Sequence, residues 1–261
     1  MNDHLQKLRE REIETKKQKQ KNIRMGRLLL AATLLGLSIF SILTITSTIE
    51  PKNSAQAKEH VADATAGDTE DVDKDSWELV LVNTRNMIPE DFTVDLKPFE
   101  STRVDYRIAG HLQEMIDAAK KDGISISVCS GFRTVSEQDA LYNAKCEKYE
   151  AGGYSEEASR ILAGQYIQPG GASEHHTGLA VDLLTDETSE LTESFAETPA
   201  YTWLKDNAAK YGFIERYPSD KSEITGISWE PWHYRYVGKS NAETITEDGL
   251  CLEEYLLRED G

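Results

Sequence analysis

The sequence SEHHTGLAVD, residues 173–182, combines a histidine-containing turn with the start of a β-strand. From Leu179 onwards the residues alternate between two faces, which places Asp182 among small and apolar neighbours. A carboxylate in such surroundings is costly to bury unless it is paired or binds a metal ion. Because Gly178 permits a sharp turn, His175 can fold back towards Asp182. The segment therefore predicts two ligands of a metal site.

A catalytic zinc site needs a third protein ligand and keeps one position open for water. His233 is the best remaining candidate, and Glu230 stands three residues before it. Pro231 predicts a bend that lets both side chains address one centre, where Glu230 can take the proton of a metal-activated water. The other histidines outside the segment lie in a basic tail, an acidic linker and a predicted helix: His4, His60 and His111.

The ordered pattern Ser-x-His-x6-Asp followed by Glu-x-x-His resembles the zinc site of the LAS metallopeptidases. This group contains lysostaphin-type enzymes, D-alanyl-D-alanine carboxypeptidases and the hedgehog signalling domain. The resemblance is greatest to VanY-type D,D-carboxypeptidases, and it extends from about Trp77 to the C-terminus. It implies an α+β fold with a small antiparallel sheet and flanking helices. Four further motifs support it: SGFR (130–133), YGFI (211–214), RYP (216–218) and EPWHYRYVG (230–238).

The resemblance also implies roles for individual residues. His175, Asp182 and His233 would bind one Zn²⁺ per domain, and Glu230 would act as the general base. From the residues alone, His176 competes with its neighbour as the ligand, but the spacing to the aspartate in the family favours His175. We expect Glu174, between the serine and the histidine of the motif, to face solvent.

Three residues are candidates for substrate binding. In the family, the arginine of the SGFR turn contacts the scissile carbonyl or the substrate backbone, which corresponds to Arg133. A permanently charged guanidinium with several donors can hold a peptide carbonyl and stabilise the developing oxyanion. A nearby glutamine assists in the family and corresponds to Gln138. The serine of Ser-x-His, here Ser173, helps to bind the terminal carboxylate in related carboxypeptidases.

The implied function is removal of the C-terminal D-alanine from peptidoglycan stem peptides by metal-activated water. Alternatives within the family are an L,D-carboxypeptidase or an endopeptidase. A non-catalytic wall-binding or sensor domain is a further alternative, although the presence of both Glu230 and Arg133 argues against it. Two histidines and a carboxylate also bind Fe(II) in oxygenases, but those sites commonly place the carboxylate two residues after the first histidine.

The N-terminal third has a different composition. Residues 1–27 form a basic tail of net charge +5. Because the whole chain has a net charge of −17, the remaining residues carry −22. Such an acidic body argues against a nucleic-acid partner. Residues 28–49 contain no charge and are long enough for a transmembrane helix, with the tail cytoplasmic and the remainder outside. The alternative is a cleaved signal peptide ending near Ala55-Gln56-Ala57, which would release a secreted protein.

The remaining chain divides into an acidic disordered linker, residues 50–76, and a catalytic domain, residues 77–261. Periodicity predicts a first strand at 77–83, a helix within 105–121, a strand at 124–129, a short helix at 155–162 and a helix at 198–211. Cys129 is expected to be buried on its strand. Cys146 and Cys251 could pair in an oxidising compartment.

Overall fold

The computed structural model describes residues 76–258. The basic tail, the transmembrane helix or signal peptide and almost all of the linker, as predicted from the sequence, lie outside these residues. Within residues 76–258, no helix is both long enough and apolar enough to cross a membrane.

A four-stranded antiparallel sheet occupies the centre of the domain, in the order β3-β4-β6-β5. This sheet and the helices that flank it confirm the expected α+β fold. β4 and β6 are the central strands, and Asp182 of β4 pairs directly with His233 of β6. The strands are β3 (Ser127–Ser130), β4 (Ala180–Leu184), β5 (Phe213–Glu215) and β6 (His233–Tyr236).

The two faces of β4 have different tasks, as its alternating sequence predicts. Leu179, Val181 and Leu183 are buried in the main hydrophobic cluster, which also contains Leu112 and Met115 of the first helix. Burying such aliphatic side chains is the dominant favourable contribution to folding. The opposite face carries the carboxylate of β4 into a cavity. One strand thus joins the core to the candidate site.

Seven α-helices surround the described sheet. The first agrees with the apolar spacing predicted within residues 105–121, and the third agrees with the short helix predicted at 155–162. The helix predicted at 198–211 is α-helical over Pro199–Asn207 and continues as a 3₁₀ helix, Ala208–Tyr211. The helices are α1 (Ala109–Lys121), α2 (Val135–Ala151), α3 (Glu156–Gly164), α4 (Pro199–Asn207), α5 (Ser222–Thr225), α6 (Lys239–Glu247) and α7 (Leu252–Leu257).

The prediction of a strand at residues 77–83 is wrong. Trp77–Leu79 forms a 3₁₀ helix. The main-chain oxygens of Glu78 and Val80 accept hydrogen bonds from Arg235 Nη2, both at 2.8 Å. A buried side chain therefore satisfies the carbonyls that a neighbouring strand would otherwise pair, which is why an apolar run here does not become a strand.

The expectations for the cysteines also need correction. Cys129 is exposed, because on the edge strand β3 the inward position next to it is taken by Val128. All three cysteines are free. Cys146 is buried beside Tyr142 in a small hydrophobic cluster, whereas Cys251 precedes α7.

A hairpin of β1 (Leu96–Phe99) and β2 (Thr102–Asp105) supports the turn after β3. The main-chain oxygen of Arg103 in β2 accepts a 2.7 Å hydrogen bond from Phe132 N. A Cβ added at Gly131 would lie only 2.4 Å from that same oxygen. Glycine at this position therefore permits the hairpin to approach the SGFR turn.

We expect Gly131→Ala to destabilise the domain by about 1–3 kcal/mol, the usual cost of overpacking. Gly110→Ala is the matched control, because an added Cβ there meets nothing within 4 Å and alanine favours a helix. Urea unfolding of both variants measures the difference. Equal stability of the two variants would contradict the close approach.

Candidate metal centre and active site

Two histidines and one aspartate meet on the polar face of the sheet. His175 Nε2 lies 3.3 Å from Asp182 Oδ2, and His233 Nδ1 lies 3.0 Å from Asp182 Oδ1. One ligand atom from each residue lies within 4.8 Å of the others, and all three side chains are buried. The predicted ligands are therefore together. Two of them face each other across adjacent strands, and the third stands on the 3₁₀ turn Glu174–Thr177 that precedes β4.

The hydrogen bonds of His175 leave the correct nitrogen free for a metal ion. Its Nδ1 lies 2.6 Å from the main-chain oxygen of Gly131. Because a carbonyl oxygen only accepts, Nδ1 carries the hydrogen and Nε2 offers its lone pair towards Asp182. Burial lowers the pKa of His175 to about 4, so the imidazole is neutral at physiological pH. A neutral imidazole is the form that binds metal ions.

His233 presents its other nitrogen, Nδ1, to the centre. Burial disfavours its charged form, but the nearby carboxylates of Asp182 and Glu174 outweigh this and raise the pKa of His233 to about 9. Binding of a metal ion at Nδ1 must therefore displace a proton. Two imidazole nitrogens and a carboxylate form a ligand set that suits zinc with one position left for water.

His176, which competes with His175 as a ligand in the sequence, is not free to bind a metal ion because both of its ring nitrogens form hydrogen bonds. Its Nδ1 lies 2.8 Å from the main-chain oxygen of Arg133 and must donate to it. Its Nε2 accepts a 3.0 Å hydrogen bond from Gly171 N. With both nitrogens occupied, this imidazole joins the SGFR turn to the loop before β4. Its role in the described domain is structural.

Glu230 reaches the centre through the turn that Pro231 was expected to create. The main-chain oxygen of Glu230 accepts a 3.0 Å hydrogen bond from His233 N, and its Oε2 lies 3.8 Å from His233 Nδ1. Burial raises the pKa of Glu230 to about 8, although the positive charge of His233 opposes this shift and favours the charged carboxylate. Its basicity is thus suited to accepting and returning a proton near neutral pH.

Arg133 and Gln138 are linked to each other beside the ligands. Arg133 donates from Nη2 to Asp182 Oδ2 at 3.0 Å and from Nη1 to Gln138 Oε1 at 2.8 Å. The amide nitrogen of Gln138 donates to the main-chain oxygen of Gln168 at 2.7 Å. Gln138 therefore fixes the direction of the guanidinium. Both residues also line the cavity.

A cavity of about 490 Å³ opens over the three ligands. Ser173 lies in its wall, and the Ser173 hydroxyl oxygen accepts a 3.4 Å hydrogen bond from His175 N. Residues 166–168, which follow α3, also contribute to the wall. The rest of the wall includes Leu141, Lys145, Leu191, Thr192, Glu193, Tyr217, Ile227 and Trp232.

Glu174 contradicts the expectation that it faces solvent. It is 1% exposed, and its Oε1 accepts hydrogen bonds from Arg216 and Arg235, each at 2.8 Å. Although burial disfavours its charge, these guanidinium groups hold the pKa of Glu174 below its usual value. The signal in the sequence was two arginines inside otherwise buried segments, which need a partner for their charge.

The arrangement fits a mononuclear zinc hydrolase, with the buried carboxylate of Glu230 beside the three ligands. The family model for VanY, D-alanyl-D-alanine carboxypeptidase, matches residues 101–239. The chain belongs to this family of zinc metallopeptidases.

Individual relatives agree with the family assignment. A D-alanyl-D-alanine carboxypeptidase of Enterococcus faecalis is 43% identical over 185 residues, which cover 70% of this chain and 67% of the relative. The structure of VanYB in complex with D-alanine-D-alanine is 44% identical, with a TM-score of 0.65, and the match covers 71% of this chain and all of that one (100%). A mutant of the D,D-pentapeptidase VanY from a VanB-type vancomycin resistance cassette, in complex with Zn(II), is 43% identical, with a TM-score of 0.64 and coverage of 69% and 99%.

We expect His175→Ala and His176→Ala to separate metal binding from structural support. His175→Ala removes a ligand and should lose most of its zinc during dialysis. His176→Ala leaves buried donors and acceptors unpaired, so it should unfold more easily, by about 1–3 kcal/mol, and still retain one zinc ion per chain. Metal analysis of the dialysed proteins provides the measurement. Retention of zinc by the first variant and loss by the second would reverse the assignment.

Proposed function

We propose that this chain is a zinc-dependent D-alanyl-D-alanine carboxypeptidase that removes the C-terminal D-alanine from peptidoglycan stem peptides. The observation that carries the proposal is the meeting of His175, Asp182 and His233 within reach of Glu230, inside a cavity of about 490 Å³. Family membership and the relative bound to D-alanine-D-alanine support the choice of substrate.

Zn²⁺, when bound by the three ligands, supplies a Lewis acid and a water of lowered pKa. Glu230 takes the proton of the attacking water and then passes it to the amine of the departing D-alanine. Its burial keeps bulk water away and holds its carboxylate in one place. Glu230 Oε2 lies 3.8 Å from His233 Nδ1, so the carboxylate stands beside the ligand atoms that would hold such a water.

Arg133 and Ser173 provide the contacts with the substrate. The Arg133 guanidinium points into the cavity and can hold the scissile carbonyl and the negative charge that develops on it. The hydroxyl of Ser173 uses its oxygen as an acceptor, so its hydrogen is available to the terminal carboxylate of the peptide. Gln138 acts through Arg133, which it holds at 2.8 Å.

The alternatives of the same family, an L,D-carboxypeptidase or an endopeptidase, require the same ligands and base. A wall-binding or sensor domain without catalysis does not require Glu230 and Arg133 beside the ligands. D,D-specificity is supported by the match to the whole chain of VanYB, whose ligand is D-alanine-D-alanine.

The cellular location is a separate proposal that is supported by the sequence alone. Residues 28–49 would anchor the chain in the cell membrane as a single helix, with residues 1–27 in the cytoplasm and the catalytic domain outside. This orientation places the site next to the peptidoglycan. Signal cleavage and secretion would bring the domain to the same compartment.

We expect Glu230→Gln to lower kcat by at least about 10²-fold, because the amide cannot accept the proton of the water. The zinc content should be unchanged, since the three ligands remain. Glu193→Gln is the matched control, because Glu193 lines the same cavity but is exposed and has no part in the proposed proton transfer. Normal turnover by Glu230→Gln would refute its role as base.

The substrate is tested with purified residues 76–261 and stem peptides of defined length. We expect release of D-alanine from the pentapeptide, no release from the tetrapeptide, and loss of activity with a metal chelator that added zinc restores. Mass spectrometry identifies the products. Cleavage of the tetrapeptide alone would indicate the L,D-activity, and binding without cleavage of either would indicate a sensor.

A further inference from the structure

Glu174 carries one carboxylate oxygen that the ion pairs described above do not use. Its Oε1 accepts from both Arg216 and Arg235, whereas its Oε2 is buried and has no hydrogen-bond partner among residues 76–258. His233 Nε2 is also buried and unpartnered within the same residues. These two atoms face each other at 3.6 Å. A small adjustment of either side chain brings them into hydrogen-bond distance.

The chemistry of His233 explains why this pair matters. Its Nδ1 faces Asp182 at 3.0 Å, on the side where the three ligand atoms meet. To bind a cation there, Nδ1 must offer a lone pair, so the single hydrogen of the neutral ring must sit on Nε2. A hydrogen at that buried nitrogen needs an acceptor. Glu174 Oε2 is the polar atom in place to accept it.

We propose that Glu174 is a positioning residue of the metal centre, which fixes His233 in the Nε2–H tautomer by accepting that hydrogen. This inference rests on the proposed zinc function and deepens it. Ligand histidines commonly donate their second N–H to a carboxylate or a carbonyl, which sets the ring orientation and increases the basicity of the ligand. In this site His175 uses the carbonyl of Gly131, and His233 uses a carboxylate.

The surroundings of Glu174 hold its carboxylate in this position. Arg216 is itself anchored by Glu253, which accepts from Nη1 at 2.8 Å and from Nη2 at 2.7 Å. Arg235 is anchored by the main-chain oxygens of Glu78, Val80 and Tyr236. Since both guanidinium groups are fixed, Oε1 cannot leave them, and the second oxygen stays directed at the imidazole. Two negative and two positive side chains balance in this buried cluster.

Glu174→Gln and Glu253→Gln separate positioning from simple ion pairing. An amide has one accepting and one donating end, so Gln at residue 174 cannot serve the guanidinium groups and the imidazole together. Both variants disturb the same buried cluster and should unfold more easily than the wild type. Only the residue-174 substitution removes the acceptor from His233, because Glu253 contacts Arg216 and not the imidazole.

The measurement is the Zn²⁺ affinity of the folded proteins, determined by competition with a chromophoric chelator. We expect Glu174→Gln to bind zinc about 10–100-fold more weakly than the wild type, which is typical of losing such a partner. Glu253→Gln should stay close to the wild-type affinity. If the two variants lose affinity equally, Glu174 is only a member of the ion cluster. The readout is independent of peptidase activity.

A second measurement uses the wild-type protein and so does not depend on the folding of a variant. Nitrogen-15 NMR of the zinc-loaded domain, with histidine side chains labelled, reports which ring nitrogen carries the hydrogen. We expect Nε2–H for His233, with slow exchange with solvent, and Nδ1–H for His175. Observation of Nδ1–H on His233 would overturn the inference. Failure to bind zinc at all would instead count against the proposed function.

Discussion

The pairing of Asp182 with His233 across β4 and β6 is the constraint on which the site depends. Antiparallel strands bring directly opposite side chains on one face to within about 5 Å, so the register of two central strands sets the separation of two ligands. A slip of one residue would turn both to the other face. The apolar face of β4 prevents that slip, because Val181 and Leu183 would then leave the core. Core packing therefore fixes the geometry of the metal centre.

His175 and Glu230 are added to this frame by turns, not by strands. His175 stands on a 3₁₀ turn that Gly178 ends in a left-handed conformation, and Glu230 stands on a turn closed by His233 N. Turns permit orientations that the two-residue repeat of a strand excludes. Two neighbouring strands supply the rigid part of the site, and short turns complete it with residues that must point towards the strand ligands.

The site is also a concentration of buried charge. Asp182, Glu174 and Glu230 are each less than a tenth exposed, and Arg216 and Arg235 are almost completely buried. Isolated buried ions are very unfavourable, so each must be compensated by a partner within a few ångströms. Arginines compensate Glu174, and the histidines together with Arg133 surround Asp182. Glu230 is compensated less completely, which agrees with its raised pKa of about 8 and with a part in proton transfer.

The sequence by itself predicted the three residues that meet at the candidate metal site, the glutamate beside them and the α+β class, because strand alternation, turn residues and an ordered motif are local signals. It also predicted α1 and α3 well. It did not determine the surroundings: Glu174 was expected in solvent, Cys129 in the core and residues 77–83 in a strand. The actual positions of these three features were decided by contacts between distant parts of the chain. Glu174 is buried where it accepts hydrogen bonds from Arg216 and Arg235, and Cys129 is exposed because its strand lies at the edge of the sheet. Arg235 also donates to the main-chain carbonyl of Glu78, next to Trp77. A one-dimensional pattern identifies which side chains are unusual, but only the folded chain decides which charges meet.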